Sequence, residues 1–364
     1  MNYDFTFGRR KSSVHIEQDI PGLDGILAAI ESERAVLVCD TNTVEMAEVV
    51  RGGAAAAVCV LPYGENTKNW QSVEKILRVA AEAGLDRDGL FVAVGGGLVS
   101  DLCAFAASVY KRGAGLVIVS TTLLGMVDAA LGGKTGFDML GIRNFAGTFY
   151  PAPHIYMPLA ALGTLPPREW RSGLAEIIKT LVLDDSFYAA ETRGRLLALK
   201  PALSGEGTPT PLIEAAASLI ARSVAVKGRI VQNDPEERGG ERMLLNLGHT
   251  FAHALESAAG LGRLSHGEAV AWGLSRACAL GEELGITPPE RAEAVRAVLE
   301  ELDYETGTPH PALVDSGAFV QALKSDKKKT RGLFRFVVPA GWGACIVTIN
   351  NDSLNLIEKI SGLA

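Results

Sequence analysis

The chain has 364 residues, 48% hydrophobic and 21% charged, with a formal net charge of −7. That length exceeds one compact core and predicts two domains. The acidic balance, broken by a single basic run at Lys327-Lys328-Lys329, argues against a nucleic-acid-binding surface.

The start, Met1 to Lys11, carries Asp4, Arg9, Arg10 and Lys11 and no apolar core, so no signal peptide is expected. Short apolar runs then alternate with amphipathic stretches. Ala35–Cys39 and Ala56–Leu61 are strand-like, and Trp70–Ala83 has helical spacing through Val73, Ile76, Leu77 and Ala80. Leu90–Val94 is a third strand that runs straight into Gly95-Gly96-Gly97, and Leu116–Val119 is a fourth. Continuous apolar strands alternating with helices predict a parallel sheet covered on both faces. The longest uncharged stretch, Gly113–Val127, is short for a membrane span. The cysteines (Cys39, Cys59, Cys103, Cys278, Cys345) are scattered, with no CxxC pair, which fits a reducing, cytoplasmic location and no disulfide framework.

From about Arg168 the pattern turns mostly helical: Gly173–Val182, Pro211–Val231, Thr250–Gly260, Gly267–Leu284 and Pro289–Leu302. One late strand is expected at Leu333–Val338, and a surface loop at Gly205–Pro211. An α/β domain therefore precedes a mostly helical one, with the join near Pro151–Pro167.

Three features carry chemistry. A glycine turn after a strand lets backbone N–H groups approach a phosphate at a helix N-terminus; alone, Gly95-Gly96-Gly97 is equally a tight turn. Asp101 is expected in the first turn of that helix, where a carboxylate suits the helix dipole. Three of six histidines fall close together: His249 and His253 share a helix face at i and i+4, and His266 opens the next helical run. Such a cluster with a carboxylate matches a catalytic zinc site with an open position, and leaves open which histidines are ligands. Finally, Glu176 and Lys179, at i and i+3, interrupt an apolar helix, as Asp128 and Lys134 interrupt another apolar run. A surface ion pair, or a metal ligand beside a substrate contact, would explain the first pair; buried charges need a partner, a metal or a ligand.

These residues stand in segments that resemble the 3-dehydroquinate synthases. Gly95-Gly-Gly-Leu-Val-Ser-Asp101, Tyr110-Lys-Arg-Gly113, Thr121-Thr-Leu-Leu-Gly-Met-Val-Asp128, Gly132-Gly-Lys-Thr135 and Ser172-Gly-Leu-Ala-Glu-Ile-Ile-Lys179 follow in family order. Asn246-Leu-Gly-His249, His253, His266-Gly-Glu268 and Asp326-Lys327-Lys328 complete the series. The resemblance implies a Rossmann-like α/β NAD-binding domain over 1–162 and a mostly α-helical metal- and substrate-binding domain over 163–364. It implies Zn2+ (or Co2+) on Glu176, His249 and His266, and an acid/base role for His253. Lys179, Lys227, Arg242 and Asn246 resemble the other catalytic positions. Asp128, Lys134, Asn144 and Lys327 resemble substrate contacts, with Lys328 an alternative to Lys327. Arg112 resembles an arginine that reaches a neighbouring subunit's site, which implies a homodimer. Asp40, Asn42, Glu65, Lys68, Gly97, Asp101, Thr121, Thr122, Lys134, Arg143 and Thr164 match NAD positions.

Two positions depart from the family pattern. Ser100 replaces a usual glycine, and would either crowd the cofactor pyrophosphate or donate a hydrogen bond to it. Arg143 replaces a usual lysine, and the two are not interchangeable at close contacts. The implied reaction converts 3-deoxy-D-arabino-heptulosonate 7-phosphate to 3-dehydroquinate and phosphate in the shikimate pathway, with NAD recycled. Other sugar phosphate cyclases, making inosose or valiolone rings, and metal-dependent polyol dehydrogenases are the alternatives. The cationic set Lys179, Lys227 and Arg242 favours an anionic substrate over a polyol. A non-catalytic binding protein on this fold would be expected to lose a metal ligand or His253, and all are present.

Overall fold

In a computed structural model the chain divides into two compact units, Met1–Leu165 with Val231–Glu236, and Pro166–Ile230 with Glu237–Ala364. The structure describes every residue except 31, 207–208, 261, 314, 330–332, 351–353 and 364, and no side chain at 209 or 325–329. The side chains of Lys327 and Lys328 therefore lie outside the described residues. The basic run they belong to ends the helix Ser316–Lys329.

The first unit is built on a seven-stranded sheet. Its strands are β1 (Asn2–Phe7), β2 (Arg10–Glu17), β3 (Ala35–Asp40), β4 (Ala57–Leu61), β5 (Leu90–Gly95) and β6 (Gly115–Ser120), together with β9 (His154–Pro158). A separate hairpin, β7 (Lys134–Met139) and β8 (Ile142–Phe149), is inserted before β9. The sheet order is β1-β2-β9-β6-β5-β3-β4, parallel except for the β1–β2 edge pair. Every residue of β3 and β5 is buried, as their unbroken apolar character requires.

Sequence reading did not anticipate β1, β2 or the β7–β8 hairpin. In β2 only alternate residues, Ser12, Val14 and Ile16, turn inward, so no continuous apolar run marks the strand. β8 is largely exposed and has no buried face to pattern it. The hairpin turns at Leu140 and Gly141, with φ of 56° and 73°, a two-residue turn that needs positive φ at both positions.

In the second unit the helices Pro167–Val182, Pro209–Asn233, His249–Ala259, His266–Glu283 and Pro289–Glu301 fall within a few residues of the apolar spacing. The last residues of Pro209–Asn233 belong to the first unit. The expected late strand is β10 (Phe334–Pro339), paired antiparallel with β11 (Ala344–Ile349). A core of Trp272, Phe251, Phe319 and Phe336 seats these elements, and Trp272 donates its indole N–H to Gly307 O at 2.9 Å. Among the described residues no helix is long and apolar enough to cross a membrane. The five cysteines are free thiols, and all but Cys345 are buried.

Between β2 and β9, His15 Nε2 and His154 Nδ1 lie 3.0 Å apart, with both rings stacked near Tyr156. Burial, and then the neighbouring His15, hold the His154 pKa below its usual value. The folded form therefore favours neutral His154, while the unfolded chain protonates near pH 6.5. Stability from this pair is present above that pH and lost as the pH falls through the lowered folded value. Thermal unfolding between pH 7.5 and 5 should show a falling midpoint, with a shallower fall in His154→Gln; equal slopes would remove His154 as a cause.

Candidate active site

In the first unit, most residues matched to the nucleotide follow the carboxyl ends of parallel strands. Asp40 ends β3 and Asn42 follows it, Glu65 and Lys68 follow β4, Gly97 and Asp101 follow β5, Thr121 and Thr122 follow β6, and Thr164 closes the turn Leu159–Thr164 after β9. Parallel strands place these ends along one edge of the sheet, where ligands of open α/β sheets bind. β5 runs into the helix Gly97–Val109 through Gly96, which offers no side-chain cap. The first-turn N–H groups are thus without a capping side chain and suit an anion.

The sequence expectation of Asp101 in the first turn is corrected: the helix begins at Gly97 itself, so Asp101 lies a turn further along. Its carboxylate pairs with Lys68 instead. Lys68 Nζ donates to Asp101 Oδ2 at 2.6 Å and to Asn144 Oδ1 at 2.6 Å. Burial opposes the Lys68 charge, but Asp101, with Glu65 and Asp138, holds its ammonium pKa above the usual value. Asp138 N donates to Lys68 O and Asn144 N donates to Asp138 Oδ1, so the β7–β8 hairpin is tied to the same lysine. Asp40 and Asn42 stand apart from this cluster. Asp40 Oδ1 accepts from the N–H groups of Asn42 and Thr43 and shapes its own turn.

Ser100 Oγ donates to Gly96 O at 3.1 Å and is buried, so its hydroxyl is committed within its own helix. Asp128 lies in a π-turn, Gly125–Ala129, closed by Ala130 N to Gly125 O at 2.9 Å. Such turns recur at functional sites. Lys134 and Arg143 lie on the hairpin strands. Arg112 is exposed and held with φ of 69°, between Lys111 at 46° and Gly113 at 117°. Successive left-handed non-glycine residues are costly and cluster at functional sites.

The second unit gathers the metal candidates. Proline at the first position starts the helix Pro167–Val182, which is buried from Ser172 to its end. Glu176 and Lys179 are therefore both desolvated, and they pair at 2.5 Å (Oε2 to Nζ). Gly248, with φ of 77°, begins the helix His249–Ala259 at His249. Ser265 and Glu268 form a capping box that starts the next helix at His266.

Glu176 Oε1 then lies 3.5 Å from His249 Nε2 and 3.4 Å from His266 Nε2. A tetrahedral ion with ordinary Zn–N and Zn–O bonds sets its ligand atoms roughly 3.3–3.6 Å apart. The spacing and the N,N,O donor set therefore fit a first-row dication. Among the described residues this is the group of ligand atoms found within 4.8 Å of one another. His253 stands outside it and exposed, its ring 5.4 Å from His249 and 6.2 Å from His266.

Burial and the nearby Lys179 push the His249 pKa down to about 3, so its imidazole is neutral and ready to coordinate. For His266, burial acts downward, but Glu176 and Glu256 together raise its pKa to about 10, so without metal the ring holds both protons and a bound ion would take the place of the one on Nε2. Lys227 and Arg242 are buried cations, on the helix Pro209–Asn233 and at the start of the turn Arg242–Asn246. Asn246 Nδ2 donates to Glu237 Oε1 at 3.4 Å. Glu237 and Glu256 were not singled out from sequence. A signal for Glu256 was available, since i+7 from His249 returns to the same helix face.

The tripod depends on close backbones. A methyl group at Gly267 would lie 2.4 Å from Ser172 Cα and O, and one at Gly273 would lie 2.3 Å from Gly248 O. These contacts draw the His266 helix against the Glu176 helix and against the turn that carries His249.

Two family models match the chain: 3-dehydroquinate synthase N-terminal over residues 58–172, and 3-dehydroquinate synthase C-terminal over residues 173–329. A 3-dehydroquinate synthase of Nostoc punctiforme is 40% identical over 313 residues, covering 85% of this chain and 83% of that protein. One of Pelobacter propionicus is 36% identical over 346 residues, covering 94% and 90%. Among solved structures, a 2-deoxy-scyllo-inosose synthase complexed with carbaglucose-6-phosphate, NAD+ and Co2+ superposes with a TM-score of 0.85 at 21% identity, over 99% of both chains. A 2-epi-5-epi-valiolone synthase from Streptomyces hygroscopicus subsp. jinggangensis, with NAD+ and Zn2+ bound, gives 0.79 at 26% identity, over 95% of this chain and 94% of that one.

Gly267→Ala should separate His266 from Glu176 and weaken divalent-metal binding about tenfold or more, by analogy with the loss of ligand-orienting contacts. Chelator competition measures it. Gly194→Ala, where an added methyl meets nothing within 4 Å, is the control and should bind metal normally.

Proposed function

The chain belongs to the 3-dehydroquinate synthase family, and on that premise we propose that it converts 3-deoxy-D-arabino-heptulosonate 7-phosphate to 3-dehydroquinate with release of phosphate. The observation that carries the proposal is the convergence of Glu176, His249 and His266 at the ligand spacing of a divalent ion. The dehydroquinate synthases related to it along most of its length support the choice of substrate. The NAD+ and the Co2+ or Zn2+ bound by the two cyclase structures support the cofactors.

Glu176, His249 and His266 would hold a zinc or cobalt ion that would supply Lewis acidity toward substrate oxygens, and bound NAD would supply a reversible hydride acceptor. The remaining work falls to side chains. Lys179, fixed by its buried pair with Glu176, presents a positive charge of constant position. Lys227 and Arg242 bind the substrate's anionic groups, Arg242 with the planar fork that suits carboxylate or phosphate. Asn246, steadied by Glu237, orients a substrate oxygen. His253, a turn along from His249, exchanges a proton with the substrate where its carbonyl forms.

To the first unit the proposal assigns the nucleotide. Gly97 at the helix N-terminus receives the pyrophosphate, and Asp40, Asn42, Glu65, Lys68, Asp101, Thr121, Thr122, Lys134, Arg143 and Thr164 serve as its other contacts. Asp128, Lys134, Asn144 and Lys327 are assigned to substrate by the family resemblance. Arg112 acts on the site of a second copy in a homodimer, supported by its exposed, left-handed presentation. The place of work is the cytoplasm.

With zinc and catalytic NAD, purified protein should release phosphate from this substrate without accumulating NADH, and a chelator should abolish release. Stoichiometric NADH from a polyol would point to a dehydrogenase. Phosphate release confined to another sugar phosphate would point to a different cyclase. Mixing Arg112→Ala with His253→Ala protein should restore about a quarter of wild-type activity, because half the dimers become mixed and each of those has one complete site. No recovery after confirmed subunit exchange would place Arg112 in its own subunit's site.

A further inference from the structure

Each candidate metal histidine has two ring nitrogens, and in both the Nε2 faces Glu176. The Nδ1 atoms are held differently. His249 Nδ1 lies 3.2 Å from the backbone carbonyl of Leu247. His266 Nδ1 lies 3.5 Å from Glu256 Oε1. Glu256 stands on the helix His249–Ala259, two turns beyond His249, and its side chain is only 10% exposed. A carboxylate kept from water on an apolar helix face is costly unless a partner compensates it.

We propose that Glu256 is a positioning residue for the metal centre, accepting a hydrogen bond from His266 Nδ1–H so that the ring turns Nε2 to a bound ion. The inference rests on the metal assignment above. Its physical content is threefold. The acceptor fixes the tautomer, limits rotation of the ring, and raises the donor strength of Nε2 by polarising the imidazole. His249, backed by a neutral carbonyl, gains orientation without that polarisation. The two histidines are therefore unequal ligands, with His266 the stronger donor. Glu256 also couples two helices: it projects from the one that carries His249 and steadies the ligand at the start of the other.

The test compares Glu256→Gln, Glu256→Ala and His266→Ala in the full-length protein. Zinc affinity is read by chelator competition, and the thermal midpoint is read without metal. Glu256→Ala should weaken zinc binding about 10- to 100-fold, the usual range for a lost outer-shell partner. Glu256→Gln keeps an acceptor but not the charge, and should lose less. Metal-free midpoints should stay close to that of the parent protein, and the visible bands of the cobalt-loaded variants should shift. Parent-like zinc affinity in both Glu256 variants, with metal lost in His266→Ala, would overturn the inference alone. So would variants whose only defect is a lower metal-free midpoint. Metal retained by His266→Ala would overturn the metal assignment itself, and the inference with it.

Discussion

Two charges stripped of water in the middle of an apolar helix set the terms for the second unit. Glu176 and Lys179 sit among Leu174, Ile177, Ile178 and Leu181, all buried. Their mutual attraction does not by itself repay the removal of both from water, and losing one partner of such a pair costs about 3–5 kcal/mol. The surrounding structure answers that cost by bringing His249 and His266 to the same carboxylate. Glycines at 248, 267 and 273 make the approach sterically open. The cluster is thus one object: remove the close packing and the carboxylate keeps Lys179 on its own helix but loses both histidines.

The first unit meets a different constraint. Its parallel strands have no polar face, so polar groups are pushed to the strand ends. There the backbone supplies the helix N-terminus after β5, and Lys68 joins the helix Gly97–Val109 to the β7–β8 hairpin through Asp101 and Asn144. One buried lysine ties together segments separated by 33 and 76 positions in the chain.

The legibility of the molecule follows from the range of each interaction. Helices that bury one face announce themselves by apolar spacing, which is why His249–Ala259 and His266–Glu283 are readable to within a residue or two. Asp101 was misplaced because the helix start depends on a glycine turn whose N-cap could not be located to the residue. The Lys68–Asp101–Asn144 cluster is invisible to spacing, since only the folded sheet brings its members together. His253 could not be told from a ligand by its i, i+4 relation to His249. The difference lies in where the neighbouring helices bring Glu176. The resemblance to a known family named most candidate residues; it said nothing of Glu256, whose placement relative to His266 depends on the packing of two helices.

Cys278 lies in the middle of the helix that begins with His266. It is fully buried, and its thiol pKa is pushed up to about 12 by burial. A thiol in that state reacts with alkylating reagents only when its helix opens to water. The protein therefore carries a native clock at its metal-bearing helix: the rate of Cys278 modification counts openings of that helix, while the more accessible Cys345 reports the reagent itself.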